Sequence, residues 1–268
     1  MQTIPSYPYF SLPQVAYSAR SEVFEFIRDH GTVAEYEARR AVYVAGTSSS
    51  WVFAVERGLV KIFTLNEDGA PFTTTLILRN EPFAIVEALN HIPHATYAET
   101  LARSRIWKLS SSCLFDAIRT DHDFTVSVLQ LVSGRMLQFQ SLAENLCMRT
   151  AQGRIAQLLL RIANEIGVYG DHGVISITPP LTHEEISHLI GATRSYTTTT
   201  INGLIDTGII IYNRQCIVIR DVDALVMLAT TPTLQRLSGL KLRGRSDKPI
   251  RQPRSEPNTP SRGFEAAS

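Results

Sequence analysis

Between Gly31 and Leu109 the apolar residues come in short runs: Ala41-Val44, Trp51-Val55, Leu59-Leu65, Thr73-Leu78, Tyr97-Leu101 and Ile106-Leu109. Each is too short for a helix and rich in β-branched or aromatic side chains, which is strand texture. Turn formers separate them at Glu56-Arg57-Gly58, Asn66-Glu67-Asp68-Gly69 and Arg79-Asn80-Glu81-Pro82. Many short strands at this spacing predict a small β-barrel or jelly roll. Residues 1–14, rich in Pro, Tyr and Ser, read as an irregular arm. Val15-His30 reads as a helix with Val23, Phe24 and Ile27 on one side.

The period then changes. Two helices are predicted, Ser111-Thr120 and Asp123-Arg149. In the second, apolar residues fall at Leu129, Val132, Met136, Phe139, Ala143 and Leu146, in alternating steps of three and four. That is the spacing of a coiled-coil seam, and it fits either a two-fold dimer interface or packing on the β-domain of the same chain. Thr150 caps a further helix, Ala151-Ile166, with Ile155, Leu158, Leu159 and Ile162 as its apolar stripe. A loop at Gly167-Gly173, a strand at Val174-Ile177 and a stop at Pro179-Pro180 follow. After Ala229 the pattern fades, and the Arg- and Lys-bearing, Pro- and Ser-rich end of the chain has the composition of a disordered tail.

Thr182-His183-Glu184-Glu185 has the form of a capping box in front of Ile186, Leu189 and Ile190. Gly191 supplies a tight turn, Thr193 caps a second helix, and Ile201, Leu204 and Ile205 form that helix's inner side. Ile209-Tyr212 and Gln215-Ile219 then make a β-ribbon turning at Asn213-Arg214. This order is a winged helix-turn-helix, whose second helix enters the major groove of double-stranded DNA by its N-terminal end. The residues placed to meet DNA are Thr182, His183, Arg194, Ser195, Tyr196, Thr198 and Thr199, with Arg214 on the wing. Arg194 has the geometry to read guanine, whereas hydroxyls discriminate little.

Composition narrows the classes. A formal net charge of +1 gives no global basic field, so any contact with nucleic acid is local. Within 150–229 the acidic residues outnumber the arginines, which predicts weak non-specific attraction from that module. The tail from Thr230, with Arg236, Lys241, Arg243, Arg245, Lys248, Arg251, Arg254 and Arg262 against Asp247, Glu256 and Glu265, is where the positive charge collects. No leader-like start and no apolar run of spanning length is present, so a cytoplasmic protein without a membrane segment is expected. The cysteines, Cys113, Cys147 and Cys216, are odd in number and far apart, against a disulfide framework, a metal site or an iron-sulfur cluster. No Gly-rich phosphate loop, His-x-x-x-His or Gly-x-Ser-x-Gly appears, so an enzyme is not expected. His91 and His94 in Asn90-His91-Ile92-Pro93-His94 are the histidines a haem would need, but they read as part of an exposed loop, and no cofactor or metal is expected.

Three stretches resemble the cyclic-AMP receptor protein / fumarate-nitrate regulator superfamily: Gly153-Arg154-Ile155-Ala156-Gln157-Leu158-Leu159-Leu160, Leu181-Thr182-His183-Glu184-Glu185-Ile186, and Gly191-Ala192-Thr193-Arg194. The resemblance covers roughly residues 20–229. It implies an α+β fold: an N-terminal β-roll (a cyclic-nucleotide-binding-like jelly roll), a long dimerisation helix and a C-terminal winged helix-turn-helix. The domains are then an arm at 1–14, an effector-sensing β-roll at 15–122, a dimerisation helix at 123–149, the DNA-binding domain at 150–229 and a basic, largely disordered tail at 230–268. The resemblance further implies a homodimer on a two-fold operator, contact with RNA polymerase and a small effector between β-roll and long helix. Nucleotide-binding relatives carry Gly-Glu and Arg-Ser in a phosphate cassette. The matching stretches here are Ala84-Ile85-Val86-Glu87 and Thr96-Tyr97-Ala98, without that glycine and arginine, so cyclic AMP is not the expected ligand. Glu87, Thr96, Tyr97, Arg135 and Phe139 are the effector-pocket residues by position, and their mixture suits an aromatic or carboxylate ligand. A constitutive DNA-binding regulator without a ligand, or a haem- or redox-sensing member, are the alternatives. The recognition helix also departs from the Arg-Glu-Thr-Val of many relatives, having Arg194-Ser195-Tyr196-Thr197, so a different operator is expected.

Overall fold

In the computed structural model residues 14–178 and 181–230 are described. The tail expected from 230 onward lies almost wholly outside them, as do most of the N-terminal arm and Pro179-Pro180. The chain opens with α1 (Gln14–His30), followed by β1 (Thr32–Tyr36), β2 (Ala41–Tyr43), β3 (Trp51–Arg57), β4 (Val60–Leu65), β5 (Pro71–Ile77) and β6 (Pro82–Phe83). A short helix, α2 (Ile85–Leu89), leads to β7 (Tyr97–Thr100) and β8 (Ser104–Ser110). These strands form two antiparallel four-stranded sheets, ordered β1-β8-β3-β6 and β2-β7-β4-β5.

Strand β3 shows why the roll closes. Four successive residues, Val52 to Val55, are buried, so both faces of this strand are covered. Phe53 and Val55 pack between the sheets with Tyr43, Val60, Ile62, Ile77, Phe83 and Ile106. Val52 and Ala54 face the other way, into a second core formed with α1, α3 (Ser111–Thr120) and α4 (His122–Met148) through Val23, Ile27, Leu114, Phe124, Val128 and Leu131. Ser110 caps α3 by accepting from the Cys113 amide at 3.3 Å, and Asp121 accepts from the Phe124 amide at 3.0 Å at the start of α4.

The C-terminal domain follows as α5 (Ala151–Ile166), β9 (Val168–Tyr169), β10 (Ile175–Ile177), α6 (His183–Ile190), α7 (Arg194–Asp206), β11 (Ile210–Tyr212), β12 (Ile217–Ile219) and α8 (Val222–Thr230). Its sheet runs β11-β12-β10-β9. Thr150 accepts from the Gly153 amide at 3.1 Å, as its position predicts. Ile155, Leu159, Ile162, Ile186, Ile190, Ile201, Leu204, Ile219 and Leu225 form the core, and Leu59, Leu76 and Leu78 of the β-roll belong to the same cluster. The two domains of the described chain therefore share apolar packing.

Four elements escape the hydrophobic pattern. β1 is an edge strand, half exposed along its length, so its sequence does not alternate. β6 spans two residues and α2 five, below the length at which a period shows. α8 is apolar on most sides, so no single helical stripe stands out in it. The expected loop at Gly167-Gly173 also contains β9 and a single 3-10 turn.

The seam residues of α4 do not behave alike. Leu129, Met136 and Phe139 are 62%, 75% and 54% exposed, and Ala143 is exposed, whereas Val132 is half buried against the second core. The side chain of Leu146 lies outside the described residues.

The turn between β3 and β4 depends on Gly58, with φ +107°. A Cβ there would stand 2.2 Å from Ser104 Oγ and 2.6 Å from Ser104 Cα. Ser104 is itself buried, accepting from the Leu59 amide at 3.2 Å and donating to the Ala102 carbonyl at 2.7 Å. Replacing Gly58 by Ala combines backbone strain with a clash, and is expected to cost about 2–3 kcal/mol, read as a lower urea midpoint at unchanged m-value.

Candidate nucleic-acid interface and effector region

The capping box predicted at α6 is present: the Glu185 amide donates to Thr182 Oγ1 at 3.1 Å and the Thr182 amide to Glu185 Oε2 at 2.7 Å. Gly191 ends the helix in the left-handed conformation, φ 60° and ψ 48°, where a Cβ is unfavourable. Thr193 then accepts from the Tyr196 amide at 3.3 Å and starts α7. Along α7 Thr197, Ile201 and Leu204 are buried at i, i+4 and i+7. The opposite side, Arg194, Ser195, Tyr196, Thr199 and Asn202, is exposed.

The predicted DNA-facing residues divide into two groups. Arg194, Ser195, Tyr196 and Thr199 stand on the outer face of α7, and Arg214 is exposed on the turn between β11 and β12. Thr182 is spent on the cap. His183 and Thr198 bind each other, with His183 Nδ1 3.0 Å from Thr198 Oγ1, and so tie α6 to α7. The His183 ring also leans on Tyr212 at 4.7 Å, whose hydroxyl donates to the Leu181 carbonyl at 2.6 Å. Burial, helped by the positive charge of Arg194, holds the His183 imidazole below its ordinary pKa. Asn202 shares this exposed face without a local sequence signal of its own. It lies seven residues after Ser195, two turns along the same face, and an amide there can pair with adenine.

Hydroxyl polarity on α7 is partly fixed by the helix. Thr199 donates to the Ser195 carbonyl at 3.2 Å and Thr200 to the Tyr196 carbonyl at 2.8 Å. With its proton so engaged, Thr199 presents lone pairs and a methyl group outward, surfaces that suit a base amine or the thymine methyl.

In the β-roll, Tyr43 gathers part of the predicted effector set. Its hydroxyl is 3.3 Å from Thr96 Oγ1, and the charges of Glu87 and Arg135 both reach it. Burial pushes the Tyr43 phenol up to about 12, so it stays protonated. Arg135 Nη2 donates to the Pro82 carbonyl at 2.7 Å. Tyr97 is not brought into this group: β7 turns Ala98 and Thr100 inward, and Tyr97 stacks on Phe63 at 5.2 Å on the other face. Phe139 is exposed on α4.

The loop histidines also part company, and the expectation that both sit in an exposed loop is corrected for one of them. His91 is exposed, at φ 54°, with its ring on Phe115 at 4.8 Å. His94 is buried and stacks on Tyr43 at 3.8 Å, and its buried Nδ1 has no hydrogen-bond partner among the described residues. The periodicity of a five-residue loop carries no signal for that difference.

Comparison with known proteins agrees with this geometry. Residues 33–121 match the model of the cyclic nucleotide-binding domain, and residues 153–228 that of the Crp-like helix-turn-helix domain. The global nitrogen regulator of Synechocystis sp. is 24% identical over 195 residues, 72% of this chain and 86% of that protein. A CRP-like cAMP-activated global transcriptional regulator of Mycobacterium tuberculosis is 22% identical, over 73% of this chain and 87% of its own. The solved structure of FixK2 from Bradyrhizobium japonicum superposes with a TM-score of 0.67 at 21% identity, covering 75% of this chain and 98% of FixK2.

The chain belongs to the cyclic-AMP receptor protein / fumarate-nitrate regulator superfamily.

As a member of that superfamily it is a DNA-binding transcription regulator, with a β-rich N-terminal domain, central helices and a helix-turn-helix domain at the C-terminal end of its described residues. No helix among the described residues is long and apolar enough to cross a membrane. Ala84, which precedes α2, stands at φ 62° and ψ 19°, a glycine-like backbone carried by an alanine, with no side-chain cap on α2.

Burial holds His94 below its ordinary pKa against the opposing pull of Glu87. A folded-state imidazole so depressed binds its proton later than the unfolded chain does, so stability falls as pH drops through about 6.5. His94→Phe, which keeps a ring against Tyr43, is expected to flatten the stability loss between about pH 6.5 and 5. Urea titrations at several pH values would show this.

Proposed function

We propose that the protein is a homodimeric, sequence-specific transcription regulator acting in the cytoplasm, controlled by a small effector bound between the β-roll and α4. The observation that carries the DNA reading is the division of α7 into a buried face and an exposed face bearing Arg194, Ser195, Tyr196, Thr199 and Asn202. With the wing residue Arg214 beside it, this is a surface for a major groove and its flanking phosphates. RNA polymerase is the expected partner at the promoter.

The dimer reading is supported by the exposed apolar stripe of Leu129, Met136 and Phe139, with Leu137 half exposed beside it. Burying each such side chain against a partner helix is worth about 1.5–3 kcal/mol. The effector reading is supported by the group around Tyr43, whose protonated phenol lies beside Phe53 and Phe83, meets the Thr96 hydroxyl and feels the charges of Glu87 and Arg135, with the buried Nδ1 of His94 close by. An aromatic or carboxylate ligand fits that mixture. Cyclic AMP does not, because the cassette lacks its arginine.

Selection from random DNA duplexes with the full-length protein tests the first reading. A two-fold site is expected, with half-sites about 34 Å apart. Arg194→Ala is expected to lose a guanine preference worth about 1–3 kcal/mol. Failure to enrich any sequence would remove the proposal. For the dimer, Phe139→Asp is expected to shift native mass spectra from dimer to monomer and weaken operator binding. A dimer unaffected by Phe139→Asp and by Met136→Asp would place the interface elsewhere.

A further inference from the structure

Glu81 lies in the turn between β5 and β6 and is 3% exposed. Its Oε2 accepts from the Leu78 amide at 3.0 Å. Its Oε1 accepts from Arg20 Nη1, on α1, at 3.2 Å, and stands 3.9 Å from Arg161 Nη2, on α5. Arg161 also donates to the Leu76 carbonyl at 3.3 Å. Arg20 continues the chain of charges to α5, with Nη1 and Nη2 donating to the two carboxylate oxygens of Glu165 at 3.3 and 3.0 Å. The carbonyl of the very next residue, Pro82, accepts from Arg135 on α4. One turn of the β-roll is thus held from α4 by Arg135, from the DNA-binding domain by Arg161 of α5, and from α1 by Arg20, which itself reaches α5 through Glu165.

The surroundings make this turn a junction. Leu59, Leu76 and Leu78 pack into the core of the DNA-binding domain, and Arg39 reaches Glu185 of the α6 capping box at 3.6 Å. Burial pushes the Glu81 carboxyl up, but Arg135, Arg161 and Arg20, with the Leu78 amide, outweigh it and leave its pKa below the usual carboxylate range. A buried carboxylate that is kept ionised by cations on three different helices ties those helices together, and removing any one of the cations weakens that tie.

We propose that Glu81 is a positioning residue that couples the β-roll to the DNA-binding domain, passing changes at Arg135 through the Glu81-Pro82 turn to Arg20 and Arg161. The proposal rests on the reading of the β-roll as the regulatory half. A ligand that draws the Arg135 guanidinium from the Pro82 carbonyl alters the turn that holds α5. DNA binding then alters ligand affinity by the same factor.

The coupling is measurable without any ligand, by hydrogen exchange with mass spectrometry on the full chain. Arg161→Met and Glu81→Gln are expected to speed exchange about tenfold at residues 71–77 and 183–190, where β5 meets α6, while β3, β8 and α7 keep their protection. Arg135→Met, on the far side of the turn, is expected to give the same signature, and the Arg135→Met/Arg161→Met pair to fall short of the product of the singles. A response to Arg135→Met confined to the β-roll, or effects of the two arginine changes that simply multiply, would overturn the proposal. If Glu81→Gln fails to fold, the arginine variants decide alone, since Arg161 is only half buried. Because no ligand is used, failure here leaves the effector reading standing, and a protein without an effector leaves this result standing.

Discussion

The apolar contact between β5 and the C-terminal domain governs much else in this molecule. Leu76 of β5 and Leu78 just after it are buried in the same core as Ile186 and Ile190 of α6, so the edge of one sheet also serves the core of the other domain. Such sharing fixes where α6 sits, and α6 in turn fixes α7 through the Gly191 turn and the His183 to Thr198 bond. The position of the reading helix is therefore a property of the whole chain. The ionised cluster at Glu81 lies at the edge of this contact, where Arg161 of α5 donates to the Leu76 carbonyl.

The DNA-binding face is built from unlike materials. Its scaffold uses the strong local signals of two threonine caps, one left-handed glycine and a buried i, i+4, i+7 row. Its outer surface is chemically mild, with one guanidinium, one exposed tyrosine, one amide and hydroxyls whose protons are partly taken by helix carbonyls. In a module where acidic residues outnumber arginines, binding depends more on fit and base contacts than on diffuse attraction.

Local and long-range features of the molecule differ in how far they can be read from the sequence. Caps and glycine turns are local, so Thr150, Thr182, Gly191 and Thr193 could be read from their neighbours, and the long helices Ser111–Thr120 and Ala151–Ile166 appear with the predicted ends. What stayed hidden is long-range. Glu81 looks like part of an ordinary polar turn until Arg20, Arg135 and Arg161 are brought to it from distant helices. His94 reads as loop until Tyr43 is found beneath it, and Tyr97 reads as pocket-lining until the parity of β7 turns it to the other face. Val132 belongs to the heptad by spacing, yet the second core claims it.

The central claim is that α7 reads DNA from a position set by the rest of the chain. A structure of the full-length protein on a duplex carrying its selected site tests this most directly. The account predicts one α7 in each of two successive major grooves, with Arg194 at hydrogen-bond distance from a guanine edge and Arg214 near a phosphate. Grooves occupied by another element, or α7 turned away from the bases, would contradict it.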